Sequence, residues 1–309
     1  MKISEIKKTL PEGFDCRSAG GKFYVFKVGW GEEIRGLAER GGPSPEAGWA
    51  EVEYLSGRGR LAVVTSGRGK LVVRHYFHGG VFRRLTRDLL RGVSRPMKEL
   101  KLLTEAARAR IRVPEAVGLI IDPAGAGLVR AALITIYIPD SYDLFTYLRQ
   151  WPADPSPLMI RKKREIIAET GALIAALHRS GFNHADLQLK NITIQQSPAG
   201  LRIFILDFDK ATHDRPPRSK VAVKNLLRLY RSFRKLRLVK PALSPRDPLR
   251  FLNAYAPEDK EFRRYLVRQA RRRRWRDSLH LIKWKLLSRL RGSPYAQPMS
   301  GDREDGREA

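Results

Sequence analysis

His184-Ala185-Asp186-Leu187-Gln188-Leu189-Lys190-Asn191, followed by Ile203-Phe204-Ile205-Leu206-Asp207-Phe208-Asp209, is the stretch that decides the fold. Asp186 and Asn191 stand five positions apart, and Asp207 closes an apolar run that reads as a short buried strand. Ile192-Thr193-Ile194 gives that strand a neighbour of the same character. Two carboxylates and one carboxamide, set at the ends of such elements, are hard oxygen donors suited to a divalent ion and nucleotide phosphates. A His-Asp pair alone is common in turns. The ordered set, framed by a helix before it and a strand pair around it, is specific.

Upstream of this stretch the chain is rich in strands. Phe23-Tyr24-Val25-Phe26-Lys27-Val28 reads as one strand. Leu61 to Thr65 and Leu71 to Tyr76 read as a hairpin about the turn Ser66-Gly67-Arg68-Gly69-Lys70. The periodicity of Met97, Leu100, Leu103 and Ala107 predicts a helix from Pro96 to about Arg110. Strands follow at Val117–Ile121 and across 127–138. Beyond Pro139 the pattern turns helical. Ser141 or Asp143 caps a first helix, a second runs from Ile160 to His178, and Ser180-Gly181 stops it. The 221–237 segment is an amphipathic helix, and a last helical region covers Glu258 to Leu290. This order predicts an α+β fold with a small β-rich lobe over 51–138 and a larger helical lobe over 139–292. Residues 1–50 are an extension or part of the small lobe, Gly41-Gly42-Pro43-Ser44-Pro45 reads as a turn, and 293–309 reads as a polar, disordered tail.

Composition narrows the partners. Sixty Lys and Arg against 32 Asp and Glu leave a net charge of +28, a field that implies an anionic partner. The excess is uneven: from Arg215 to Arg291 there are 25 Lys and Arg but 5 Asp and Glu. One cysteine, Cys16, excludes an intrachain disulfide and suits a reducing compartment. Met1-Lys2-Ile3-Ser4-Glu5 lacks the apolar core of a signal peptide, and no run approaches the roughly 18 apolar residues of a membrane span. The expected place is the cytoplasm, or a membrane surface on its cytoplasmic side.

The set beginning at His184 is similar to the H-x-D-x-x-x-x-N and D-F-G motifs of protein kinases. In that frame Asp186 is the catalytic base, or the group that orients an acceptor hydroxyl, and His184 orders the loop. Asn191 and Asp207 hold Mg²⁺. The phosphates of ATP also need a cation. No V-A-I-K is present, and Arg74 on the Leu71–Tyr76 strand takes that place, with Glu99 on the next helix to hold it. Lys70 is its rival. Gly57-x-Gly59 or Gly67-x-Gly69 would cover the phosphates, and 134–139 would join the lobes beside the adenine. Asp209 stands where D-F-G has glycine, which argues against a swinging activation loop.

Further pieces make the resemblance narrower. They are Val73-Arg74-His75-Tyr76 with Gly79-Gly80, Ser94-Arg95-Pro96-Met97-Lys98-Glu99, Asp207-Phe208-Asp209-Lys210, and the basic segment Asn225 to Ser232. With these the chain resembles the bacterial lipopolysaccharide kinase family over roughly 57–240, above all its 3-deoxy-D-manno-octulosonic acid (Kdo) kinases. Gln188-Leu189-Lys190 departs from the small or polar residues expected there. The resemblance implies ATP- and Mg²⁺-dependent phosphorylation of a Kdo hydroxyl on a lipid A precursor. It also implies a peripheral protein on the cytoplasmic face of the inner membrane, where the basic surface meets anionic lipid at about 1 kcal/mol per Lys or Arg. The 223–235 helix and the Arg271–Lys285 region are candidates for that contact, although the apolar side of 223–235 reads better as core. Other readings are an inner-core heptose kinase, an RNA-associated kinase of the RIO type, and a pseudokinase scaffold on anionic lipid. Nucleic acid is the less favoured partner.

Overall fold

The structure is a computed structural model, and it describes residues 3–40, 53–55, 61–77, 88–197, 200–214, 219–240 and 243–272. Gly57 and Gly59, Gly79-Gly80, the 41–45 turn, the Trp275–Lys285 region and the 293–309 tail lie outside the described residues.

An antiparallel sheet forms the N-terminal part. Its strands are β1 (Phe14–Ala19), β2 (Lys22–Lys27), β3 (Glu53–Leu55), β4 (Leu61–Ser66), β5 (Gly69–His75), β6 (Leu90–Arg91), β7 (Ala116–Pro123) and β8 (Leu128–Ile136). Their spatial order is β1-β2-β7-β8-β5-β4-β3, with β6 added on β8. Strand side chains alternate between faces, and both faces are covered. On one face Phe26, Leu71, Val73, Ile120 and Ile134 pack with Ile34 and Leu37 of helix α2 (Gly31–Arg40). On the other, Val25, Tyr76, Leu119, Ile121 and Leu133 share a core with Leu100, Leu103 and Ala106 of α3 (Ser94–Arg108). Double coverage is why β7 and most of β8 read as apolar runs, broken in β8 by Arg130 and Thr135. Gly118 lies where α2 meets β7, and a Cβ there would stand 2.8 Å from Ile34 Cδ1.

The sequence left residues 1–50 largely open. The structure gives them α1 (Ile3–Lys7), the edge hairpin β1–β2 and α2. β2 pairs with β7, so this hairpin extends the sheet. The expected hairpin at 61–76 forms in register Val63↔Val72. Its turn is tighter than expected, because Gly69, at φ +116°, and Lys70 already belong to β5. Gly67-x-Gly69 is thus a hairpin turn.

The C-terminal part is helical. β9 (Ser141–Asp143) leads into α4 (Leu144–Arg149), capped by Asp143, whose carboxylate accepts from Thr146 N–H at 2.8 Å. α5 (Pro157–Arg179) carries Ile166, Ile167, Leu173, Ile174 and Leu177 inward. β10 (Phe182–Asn183) follows, then β11 (Ile192–Ser197) and β12 (Gly200–Ile205), and β10 pairs with β13 (Thr212–His213). β12, β11 and β9 form a small sheet in that order. α6 (Ser219–Val239) buries Leu226, Leu229, Phe233 and Leu236, so its apolar side is core. The structure adds α7 (Asp247–Tyr255), with Pro248 in its first turn, ahead of the expected last helical region, within which a helix runs over 260–272. α7 crosses α5 closely at Gly171, where a Cβ would meet Phe251 O at 2.6 Å.

Candidate active site

The loop from Asn183 to Asn191 is held by its own backbone and by two elements behind it. Asp186 N–H donates to His184 O at 2.7 Å, closing a three-residue turn with Ala185 at φ +56°. Asn183 Oδ1 accepts from Ala185 N–H at 3.1 Å and from Asn225 Nδ2 of α6 at 2.8 Å. His184 is fully buried, its Nε2 lies 2.7 Å from Leu206 O, and its ring meets Phe208 edge-on at 5.4 Å. Burial holds its imidazole below the ordinary value. His184 has no surface to offer a substrate, and its bond to Leu206 O ties the loop to the end of β12.

Asn191 and Asp207 are brought beside Asp186 by paired strands. Asn191 ends a 3-10 turn (Leu189–Asn191), and its Nδ2 donates to Asp186 O at 2.9 Å. That leaves the amide oxygen of Asn191 for another partner. Leu206 N–H donates to Asn191 O at 2.9 Å, which fixes the next residue, Asp207, at the mouth of the β11–β12 ladder. Asp207 adopts φ +63°. A non-glycine residue in that region costs on the order of 1–3 kcal/mol, and such strain gathers at functional sites. Ala185 and Asp207 place two strained residues in these adjoining loops.

Arg74 reaches the same site from β5. It forms an ion pair with Glu99 of α3 and lies 3.4 Å from Asp207. Glu99 is only 1% exposed and accepts from Tyr76 Oη at 2.6 Å. Burial opposes charge on Arg74, but Glu99, Tyr76 and Asp207 outweigh it, so the guanidinium holds its proton more tightly than usual. Burial pushes the Glu99 carboxyl up against the pull of Arg74. Lys70, at the exposed start of β5, lies four residues from Arg74 along the strand.

Four contacts of this site were not legible in the sequence. Asp209 is gripped by Arg95, Nε to Oδ1 at 2.5 Å and Nη2 to Oδ2 at 2.7 Å, a two-pronged pair that fixes the D-F-D segment to α3. Burial raises Asp209, but the bonds and charge of Arg95 outweigh it and keep the carboxyl below its ordinary value. The signal lay in spacing: Arg95 is four residues before Glu99 and so shares its helix face. Asp186 Oδ1 accepts from Gln188 Nε2 at 2.6 Å and from Arg228 of α6, and Lys210 Nζ stands 3.7 Å from Oδ2. Burial raises Asp186 as well, and the bonds from Gln188 and Arg228 more than reverse it. In the sequence Arg228 looked like one more charge on a solvated helix face. Its partner lies 42 residues away, beyond the reach of helical periodicity.

A carboxylate beside a loop amide and a second carboxylate, below an ion-paired cation on a sheet, is the arrangement of kinase-like phosphotransferases. The profile of the Lipopolysaccharide kinase (Kdo/WaaP) family matches residues 48–255, two thirds of the chain, and the chain belongs to that family. Among its relatives, the 3-deoxy-D-manno-octulosonic acid kinase of Pasteurella multocida is 32% identical over 167 residues, 53% of this chain and 65% of the relative. That of Vibrio parahaemolyticus is 31% identical over 199 residues, 60% of this chain and 77% of the relative. The chain thus spans just under two thirds of the Pasteurella protein's length. A solved structure, WaaP in complex with acyl carrier protein, aligns at a TM-score of 0.49 and 19% identity, covering 76% of this chain and 86% of that one.

Proposed function

We propose that this chain is an ATP-dependent kinase that phosphorylates a hydroxyl of Kdo on a lipid A precursor. The observation that carries the reading is the tie between Asp186, Asn191 and Asp207, made by the Asn191 Nδ2 bond to Asp186 O and the Leu206 N–H bond to Asn191 O. Phosphoryl transfer through a loose transition state needs positioning more than a strong base. Asp186, kept ionised by Gln188 and Arg228, orients the acceptor hydroxyl toward the γ-phosphate and takes its proton as the O–P bond forms and ADP leaves. Arg74, steadied by Glu99, steers the phosphates of ATP. The donor set fits Mg²⁺: the Asp207 carboxylate and the Asn191 amide oxygen would hold it, and it would neutralise charge on the β- and γ-phosphates.

Family membership favours a sugar-lipid acceptor over RNA. The Kdo kinases among the relatives point to Kdo rather than heptose. No helix among the described residues is long and apolar enough to cross a membrane. The net charge of +28 suits peripheral attachment to anionic lipid on the cytoplasmic face of the inner membrane. The test is incubation with labelled ATP, Mg²⁺ and either a Kdo-lipid A precursor or its heptosylated form, with mass analysis of the lipid. A gain of one phosphate on the Kdo acceptor is expected. Transfer to the heptose instead, or to neither lipid, would overturn the assignment.

A further inference from the structure

The two sides of the site are charged in opposite senses. On the Arg74 side two carboxylates, Glu99 and Asp207, share one cation. At Asp186 the ratio is reversed, for Arg228 and Lys210 both converge on one carboxylate. An excess of negative charge at Asp207 suits a metal ion. An excess of positive charge around Asp186 suits an acceptor that is itself an anion.

α6 is tied to the catalytic loop by bonds that do not involve Arg228. Asn225, three residues before it, is buried and donates to Asn183 Oδ1 at 2.8 Å. Ser232, four residues after it, is buried and accepts from Leu189 N–H at 3.3 Å. These two bonds pin the helix to both ends of the catalytic loop. Between them the Arg228 side chain is 44% exposed, with Nη1 on Asp186. A guanidinium has five N–H donors in a planar fork, so an edge can engage a carboxylate while Nη1 keeps its bond. Lys210 is more exposed still and lies on the other oxygen of Asp186.

We propose that Arg228, assisted by Lys210, binds the carboxylate of a sugar-acid acceptor and so sets its hydroxyl against Asp186. The inference rests on the proposed function, and it names the group by which the acceptor is recognised. Octulosonic acid carries such a carboxylate; a heptose does not. A neutral sugar would leave one of the two positive charges at Asp186 uncompensated.

The experiment compares two acceptors, the Kdo-lipid A precursor and the same lipid with the Kdo carboxyl converted to a primary amide, in the wild type and in Arg228→Gln and Arg228→Lys. Thermal unfolding of each protein checks its folding. The wild type should prefer the carboxylate by roughly 10- to 100-fold in kcat/KM, the range of a charged hydrogen bond in a half-exposed site. Arg228→Gln should lose that preference through a raised KM for the carboxylate acceptor, with KM for ATP unchanged, and Arg228→Lys should recover part of it. Equal use of both acceptors by the wild type, or an undiminished preference in Arg228→Gln, would overturn this inference and leave the kinase reading intact. A parallel rise of KM for ATP would overturn it too, by assigning Arg228 to the nucleotide. Absence of transfer to the unmodified lipid would overturn both.

Discussion

Replacing Glu99 by Leu removes a carboxylate that is 1% exposed and that serves two partners. Tyr76 Oη loses its acceptor at 2.6 Å, and Arg74 keeps Asp207, at 3.4 Å, and the face of the Tyr76 ring. Removing one member of a buried ion pair costs about 3–5 kcal/mol, because the other charge is left uncompensated. Arg74 is 27% exposed and can turn partly to water, which puts the expected cost at the lower end, about 3 kcal/mol. In a domain of this size about 3 kcal/mol lowers Tm by roughly 6–12 °C. Glu99→Gln keeps an acceptor for Tyr76 and should cost less, about 1–2 kcal/mol. Urea unfolding gives these differences, and the double variant Arg74→Leu/Glu99→Leu completes a cycle. The double variant should be less destabilised than the sum of the singles, since neither charge is then stranded. Nucleotide titration should also show weaker ATP binding in Glu99→Leu, whose Arg74 is no longer steered. A cost below about 0.5 kcal/mol in Glu99→Leu, within the range of an ordinary surface change, or strict additivity in the cycle, would refute the claim that Glu99 braces Arg74.

Two predictions concern the scaffold. His178 has its Nδ1 at 2.9 Å from Tyr255 Oη and its Nε2 at 3.3 Å from Asn225 Nδ2, a donor, so a second proton on Nε2 would face another N–H. Burial lowers its pKa to about 4. The unfolded chain then binds the proton first, and stability should fall as pH drops from about 6.5 to about 4, by about 3 kcal/mol in total. Urea midpoints measured across that window should show the slope, and His178→Gln should reduce it; an unchanged slope would contradict the assignment. His184, also held low by burial, adds to the same slope. At the α5–α7 crossing, Gly171→Ala would set a Cβ 2.6 Å from Phe251 O and 3.1 Å from Ala254 Cβ. Overpacking of about 1–3 kcal/mol should exceed the helix-propensity gain of about 1 kcal/mol. Thermal unfolding should therefore show a lower midpoint, and a raised one would contradict the close crossing.

The parts of this molecule legible in the sequence are those whose partners lie nearby in the chain. The start of α4 is announced by Ser141 and Asp143, because capping is a local bond, and the cap falls to Asp143. The 61–76 hairpin is visible because its two strands are separated by one turn. The order Asp186, Asn191, Asp207 is visible because β11 and β12 place all three within one short supersecondary unit. Contacts between distant segments are harder. Asp209 could be seen to lack the freedom of glycine, but not to have Arg95 as its partner across 114 residues. α2 was missed because Gly31-Glu32-Glu33 is polar and only Ile34, Leu37 and Ala38 form its inner face. The charges of α6 resemble one another in the sequence, and only the packing of Asn225 and Ser232 against the loop turns Arg228, among them, toward Asp186.

The central claim is that Asn191 and Asp207 together hold the divalent ion that accompanies ATP. Calorimetric titration of ATP with and without Mn²⁺, on the wild type, Asn191→Ala and Asp207→Ala, tests it directly. A metal-dependent gain in affinity that Asp207→Ala abolishes and Asn191→Ala reduces is the predicted result; the full gain retained in Asp207→Ala would contradict it.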